Sequence, residues 1–182
     1  MDLGLVLSHR KFWDFKPKVI HMYGDIKLTE VVDPQSRMAD LIGLLYVLNN
    51  IFEGKADLYQ LEKEMEVDLD ELMPIVFTAA RIGFVNLESG DLSSTVLGKE
   101  LISSSIKRRK EIIKESLKNV EPFKTAIELR EFDIDQLLEE LESRGVQTFN
   151  SPTGHHDIEV MLIEWGIYSG LIRKDEGKFI VA

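Results

Sequence analysis

Apolar residues along this chain recur mostly at three- and four-residue spacings, which predicts a largely helical protein. The densest stripe is Met38, Leu41, Leu44, Leu45, Leu48, Ile51 and Phe52. It leaves little polar surface, so a buried helix is expected there, ended by Gly54 at a favoured C-terminal position. A shorter helix follows with Leu58, Leu61 and Met65 on one face, and a third carries Leu69, Leu72, Val76, Ala79 and Ala80. Pro74 suits the first turn of that third helix if Asp70 caps it, and otherwise kinks it. Gly83-Phe84-Val85-Asn86-Leu87 then reads as a strand, Glu88-Ser89-Gly90-Asp91 as a turn and Leu92 onward as the return strand. Three helices closed by a hairpin is the order of a winged helix-turn-helix.

The second half repeats the theme. Residues 98–119 are helical with a break at Ser103-Ser104-Ser105, where Ser105 is a candidate cap, and Pro122 suits the first position of the next helix. A helix from Asp133 to about Arg144 carries Ile134, Leu137, Leu138 and Leu141. A loop from Gly145 to Gly154 precedes a last long helix, His156 to Gly170, with Asp157 as its expected cap. Ile172-Arg173, a turn at Lys174-Asp175-Glu176-Gly177 and Phe179-Ile180-Val181 close the chain. Asp57-Leu58-Tyr59-Gln60-Leu61 aligns with Asp133-Ile134-Asp135-Gln136-Leu137, a shift of 76 positions (57 to 133). Gly83-Phe84-Val85, Gly90 and Leu92 align with Gly170-Leu171-Ile172, Gly177 and Phe179, a shift of 87 (83 to 170), the loop absorbing the difference. Each glycine has a mechanical reason: one turns a helix into a strand, the other takes a positive φ at the hairpin tip. The expected class is therefore mainly α with short β hairpins (α+β), a tandem winged helix-turn-helix. Its parts are an N-terminal arm (1–35), a first unit with connecting helices (36–120) and a second unit (121–182).

The arm differs in composition from the rest. His9 to Lys18 is aromatic and basic, with Phe12, Trp13 and Phe15, and Pro17 discourages a continuous helix. Val19–Tyr23 and Ile26–Val32 read as short strands around Gly24-Asp25. Three aromatics in a short arm call for a surface to bury against, the chain's own or a second subunit's. Phe12, Trp13 and Phe15 are therefore candidate oligomer contacts, and a homodimer is expected.

Several segments together resemble the AAA-associated C-terminal domain family. They are Leu44-Leu45, Gly54 to Leu61, Leu72 to Val76, Gly83-Phe84-Val85, Gly90-Asp91-Leu92, Leu97-Gly98-Lys99 and Glu164 to Leu171. The resemblance runs in order over roughly residues 36–182. Where members of that family usually have Trp-Gly-Arg-Tyr, this chain has Trp165-Gly166-Ile167-Tyr168. The resemblance implies an appendage that follows the ATPase domain in some ATP-binding cassette subunits of nitrate/sulfonate-type importers. It implies a regulatory or interaction role and supplies no catalytic residues. The 182 residues contain no Gly-x-x-x-x-Gly-Lys-Ser/Thr loop, so nucleotide hydrolysis is not expected and the chain reads as a free-standing form of the appendage.

Composition narrows the partners. Thirty-two acidic residues against 22 basic give a net charge of −10, which disfavours bulk nucleic-acid binding but permits a local basic patch. No apolar run approaches the ~20 residues of a membrane helix, so no membrane insertion is expected. With no cysteine there is no disulfide framework and no thiolate metal site, and a cytoplasmic location follows. The densest cation cluster is Lys107, Arg108, Arg109 and Lys110, with Lys114 and Lys118 further along. Arg173 and Lys174 make a second cationic edge at the last hairpin. These seven residues, Lys118 aside, are the candidate anion or nucleic-acid contacts; the competing account is a solvated face whose charges pair internally. Against groove readout, the third helices begin Asp68-Leu69-Asp70-Glu71 and Asp157-Ile158-Glu159, where carboxylates would meet phosphates. His155-His156-Asp157-Ile158-Glu159 is a poor chelator because adjacent helical histidines diverge by about 100°, so neither a metal nor another cofactor is expected. Met161, Trp165 and Tyr168 share a helix face and read as core. Glu62/Glu64/Glu66 and Glu139/Glu140/Glu142 lie on helix exteriors with no pocket implied, so no catalytic residues are nominated. The expected function is non-catalytic regulation through protein–protein contacts. The alternative is a transcription-regulator-like DNA binder using the helix at 107–118 and the wing at 173–178.

Overall fold

A computed structural model describes residues 31–182. Helix α1 (Met38–Tyr46) buries Met38, Leu41, Leu44 and Leu45, then widens into a π-helical stretch at Val47–Ile51. Gly54, at φ 98°, turns the chain out of it. Strand β1 (Lys55–Asp57), helix α2 (Leu58–Met65), helix α3 (Leu69–Arg81) and the strands β2 (Val85–Glu88) and β3 (Asp91–Ser94) follow. Helices α4 (Val96–Ser103) and α5 (Ile106–Leu117) intervene. Helix α6 (Phe123–Leu129), strand β4 (Glu131–Phe132), helices α7 (Ile134–Ser143) and α8 (Gly154–Met161) and strands β5 (Ile172–Asp175) and β6 (Lys178–Val181) then repeat the earlier order. Helix α8 also continues as a π-helical stretch, Leu162–Ile167. The protein is mainly helical with two small antiparallel sheets, as the sequence predicts.

The sheets match strand for strand: β1-β3-β2 and β4-β6-β5. Ala56 pairs with Leu92 in the first, Phe132 with Phe179 in the second. Those pairs are related by the two shifts, 76 and 87, that align the halves of the sequence. Equal register is filled differently, since Phe132 and Phe179 stack at 5.9 Å where the first sheet has Ala56 and Leu92. Both second helices open on the same capping box. Asp57 accepts from Gln60 N–H at 2.8 Å and its own N–H donates to Gln60 Oε1 at 3.0 Å; Asp133 and Gln136 repeat this at 2.8 and 2.9 Å. Much of the difference in length lies where the sequence puts it, the connection between second and third helices being residues 66–68 in one half and 144–153 in the other. The rest lies in slightly longer helices and a longer turn into β5, residues 168–171 against 82–84.

Three details differ from the sequence expectation. Asp68, not Asp70, occupies the N-cap position of α3, which places Pro74 in the second turn rather than the first. Pro74 has no N–H for the Asp70 carbonyl, and the helix nevertheless continues to Arg81 because six of its apolar side chains are buried. Thr153 rather than Asp157 occupies the N-cap position of α8, and its hydroxyl donates to the Asp157 carboxylate at 2.9 Å instead of accepting from a backbone N–H. Pro122 sits at the N-cap position of α6, one residue earlier than expected. Ser105 does cap α5, accepting from Arg108 N–H at 3.2 Å.

Both hairpin tips place two residues at positive φ, Ser89 (52°) with Gly90 (83°) and Glu176 (46°) with Gly177 (81°). Two-residue turns of this kind match the strand twist but strain every side chain except Gly, Asn and Asp. Ser89→Asn is expected to stabilise the fold by about 0.5 kcal/mol, and Gly90→Ala to destabilise it by about 1 kcal/mol. Thermal melts of the two variants check the opposite signs.

One apolar cluster joins buried side chains from both sets of elements, among them Leu41, Leu72, Phe84, Phe123, Leu137 and Trp165. The chain enters it at Val31 and Val32. Val31 bridges Glu121 in parallel, and Val32 N–H donates to the Glu121 carbonyl at 2.9 Å. Asp33 N–H donates to Thr78 Oγ1 (3.1 Å), whose hydroxyl donates to Ser36 Oγ (3.0 Å), all buried. The strands expected at Val19–Tyr23 and over most of Ile26–Val32 lie outside the described residues.

Candidate functional site

Helix α5 forms because Ser105 caps it and Ile112, Ile113 and Leu117 bury one stripe, leaving its cations on the other faces. Most of those cations have partners in the same chain. Arg108 binds Glu100 through Nη2 (2.9 Å) and Nε (3.1 Å) and Glu111 through Nη1 (3.3 Å). Its guanidinium is held above its ordinary pKa by the hydrogen bond to Glu100, then by that to Glu111. Arg109 turns back onto α4, donating to the carbonyls of Leu101 (3.0 Å) and Ile102 (2.8 Å). Those are carbonyls of the last turn, which lack helical donors, so Arg109 closes a helix end. Lys110 places its ammonium 5.1 Å from the centre of the Tyr168 ring. Lys118 donates to Glu115 at 2.8 Å, and that hydrogen bond is the first cause of a lowered carboxyl pKa at Glu115. Lys107 is exposed and Lys114 half-buried on the same helix.

The second hairpin behaves alike. Arg173 lies 3.5 Å from Asp175, and Lys174 lies 3.8 Å from Glu159 and over the Phe179 ring at 5.4 Å. Thus Arg173 and Lys174 sit on β5 while the 107–110 cluster sits on α5, two separate cationic sets. Asp70 and Glu71 are exposed in the first turn of α3, and Glu159 is half-buried in α8. Phe12, Trp13 and Phe15 lie outside the described residues.

Two features escape sequence reading because they are tertiary. Arg144 bridges α6 and α7, reaching Glu128 and Glu140, and those hydrogen bonds, Glu128 first, raise its pKa. A groove of about 460 Å³ opens between the end of α3 and the side of α5. Ile82, Leu97, Ile112 and Val120 supply its apolar lining, and Arg81, Glu111 and Glu115 stand among its polar groups. Among the described residues no group of three or more His, Asp or Glu could hold a metal ion, and no helix is long and apolar enough to cross a membrane. His155 instead faces Asp135 at 3.8 Å.

Val96 (85% exposed) and Ile106 (68%) are apolar side chains left on the outside of α4 and α5. Neither a curated protein nor a solved structure matches the chain. The model of the C-terminal AAA-associated domain family matches residues 59–175, a span from the first turn of α2 to the end of β5 that takes in the first hairpin and the helices of both halves from α2 to α8. On that match the chain belongs to the C-terminal AAA-associated domain family.

Proposed function

We propose that the protein is a cytoplasmic, non-catalytic regulatory component built of two winged-helix units, residues 36–120 and 121–182. It acts through protein contacts with a partner or a second copy, in the transporter-associated setting that its family suggests. The observation that carries this reading is where the charges are spent. The third helix of a DNA-reading winged helix presents its first turns to base edges and phosphates, and here those turns carry Asp70, Glu71 and Glu159. The cations that would compensate, Arg108, Arg109, Lys110, Arg173 and Lys174, are engaged with carboxylates, carbonyls or rings of the same chain. Exposed apolar side chains such as Val96 and Ile106 suit a protein surface better than a phosphate backbone.

Fluorescence anisotropy on duplex DNA at low and raised salt tests the reading, with light scattering for the mass in solution. The expected result is no salt-sensitive binding. Micromolar binding that weakens with salt and disappears on replacing Lys107, Arg108, Arg109 and Lys110 with Ala would transfer the function to the DNA-binding alternative.

A further inference from the structure

Helix α6 ends on Arg130 at φ 68°, ψ −51°. That lies outside the left-handed helical well and close to the strained γ-turn near +75°, −65°. The first half of the chain shows what the fold itself asks for at this point. The shift of 76 sets Gly54, at φ 98°, against Arg130. The Gly54 carbonyl accepts from Ser94 N–H at 2.8 Å, and the Arg130 carbonyl accepts from Val181 N–H at 2.8 Å. Those two donors are related by the shift of 87. The backbone pairing is therefore complete without a side chain, and an arginine adds strain to it. A helix C-terminus attracts an exposed cation, but that attraction is screened by salt and smaller than such strain.

The side chain has no partner to justify that strain. Arg37, Arg81, Arg108, Arg109, Arg144 and Arg173 each reach a carboxylate or a carbonyl. Arg130 is exposed and, among the described residues, makes no side-chain hydrogen bond or ion pair. Its nearest acids in sequence are engaged elsewhere, Glu128 by Arg144 and Glu131 by Lys178 at 3.7 Å. The matching site of the first half is covered: Gly54 is buried, and a Cβ added to it would meet Lys99 Cε of α4 at 3.4 Å. We propose that Arg130 is a self-association contact, its guanidinium engaging Glu139 and Glu142 on α7 of a second copy. Charge complementarity selects that occupant. Glu139 and Glu142 are exposed, share a helix face at a spacing of three, and have no ion pair among the described residues. They stand on the same unit as Arg130, so a two-fold axis makes the contact twice, each copy giving its cation to the other's carboxylates. A planar guanidinium suits such carboxylates better than a point charge does. The inference rests on the protein-contact reading above and narrows it to one partner.

Sedimentation velocity of the full chain over a wide range of concentration tests it, with circular dichroism to confirm that each variant is folded. The wild type should dimerise. Arg130→Glu sets like charges together at both symmetric sites and should weaken association by at least roughly tenfold. Glu139→Arg with Glu142→Arg should do the same, and the three substitutions combined should restore the dimer. Arg130→Gly should also weaken association, yet raise the melting temperature of the dilute, monomeric protein by about 3 °C or more. An arginine kept only for stability would give a fall instead. Four results would each overturn the proposal: a wild type that is monomeric at every concentration, R130E associating as tightly as wild type, charge reversal on both sides without rescue, or R130G melting no higher. A monomeric wild type leaves the DNA titration to decide the function, so the two readings fail separately.

Discussion

Trp165→Ala is expected to cost about 3–5 kcal/mol, a large part of the roughly 5–15 kcal/mol that holds a domain together. In a chain of this length it should lower the melting temperature by about 10 °C. Trp165 is the largest side chain of the apolar cluster with no solvent exposure. Its neighbour Gly166 already lies so close to Ile172 and Phe123 that an added Cβ would meet them at 3.0 and 3.3 Å. Walls packed that tightly cannot collapse far into the space an indole leaves, so the cavity penalty adds to the lost burial. The indole Nε1, however, is buried with no hydrogen-bond partner. An orphaned N–H carries a cost of about 1–3 kcal/mol, and Trp165→Phe removes it while keeping most of the ring. The conservative variant is therefore expected to lose only about 1–2 kcal/mol. Urea titrations followed by circular dichroism compare the two. Equal losses would mean that the N–H is satisfied and that the whole indole, not its apolar body, is what the core requires.

Features set by neighbouring residues were legible in the sequence; those set by contacts between elements were not. The α1 stripe, the Ser105 cap and the paired glycines at 83, 90, 170 and 177 all follow from the backbone's own demands, and the structure has each of them. The capping boxes are equally local, since Asp-x-x-Gln opens both second helices and lets each side chain bond the other residue's backbone N–H. Pro74 shows the limit of propensity. A proline inside a helix argues for a boundary, and burial of Leu69, Leu72, Val76 and Ala79 along the same helix outweighs it. The basic cluster shows another limit. Composition presents four adjacent cations as one patch, whereas Arg108, Arg109 and Lys110 face three different neighbours, Glu100, Leu101–Ile102 and Tyr168. Helical rotation of about 100° per residue separates them, and only the placement of α4 and of Tyr168 against α5 decides what each one meets.

The second large effect is expected at Gly98, where Ala should destabilise the protein by about 2–3 kcal/mol. Gly98 is the third residue of α4, and its N–H donates to Thr95 Oγ1 at 3.0 Å. Thr95 is itself fastened to the lead of β2, its hydroxyl donating to the Gly83 carbonyl at 2.7 Å and its N–H to the Phe84 carbonyl at 3.0 Å. The start of the helix is thereby pressed onto the hairpin, and a Cβ at 98 would run into the Phe84 carbonyl oxygen and stand 2.9 Å from Ser94 Oγ. Relief requires α4 to lift, which would break the bond from Thr95 N–H and free the buried Phe84 carbonyl. Gly43 supplies the control. It lies within α1 with nothing inside 4 Å of an added Cβ, so Gly43→Ala should stabilise by about 0.5–1 kcal/mol through helix propensity alone. The two glycine-to-alanine changes are identical in chemistry and expected to be opposite in sign. Denaturant midpoints that move in the same direction for both would mean that the helix–hairpin contact at Gly98 is looser than its geometry requires.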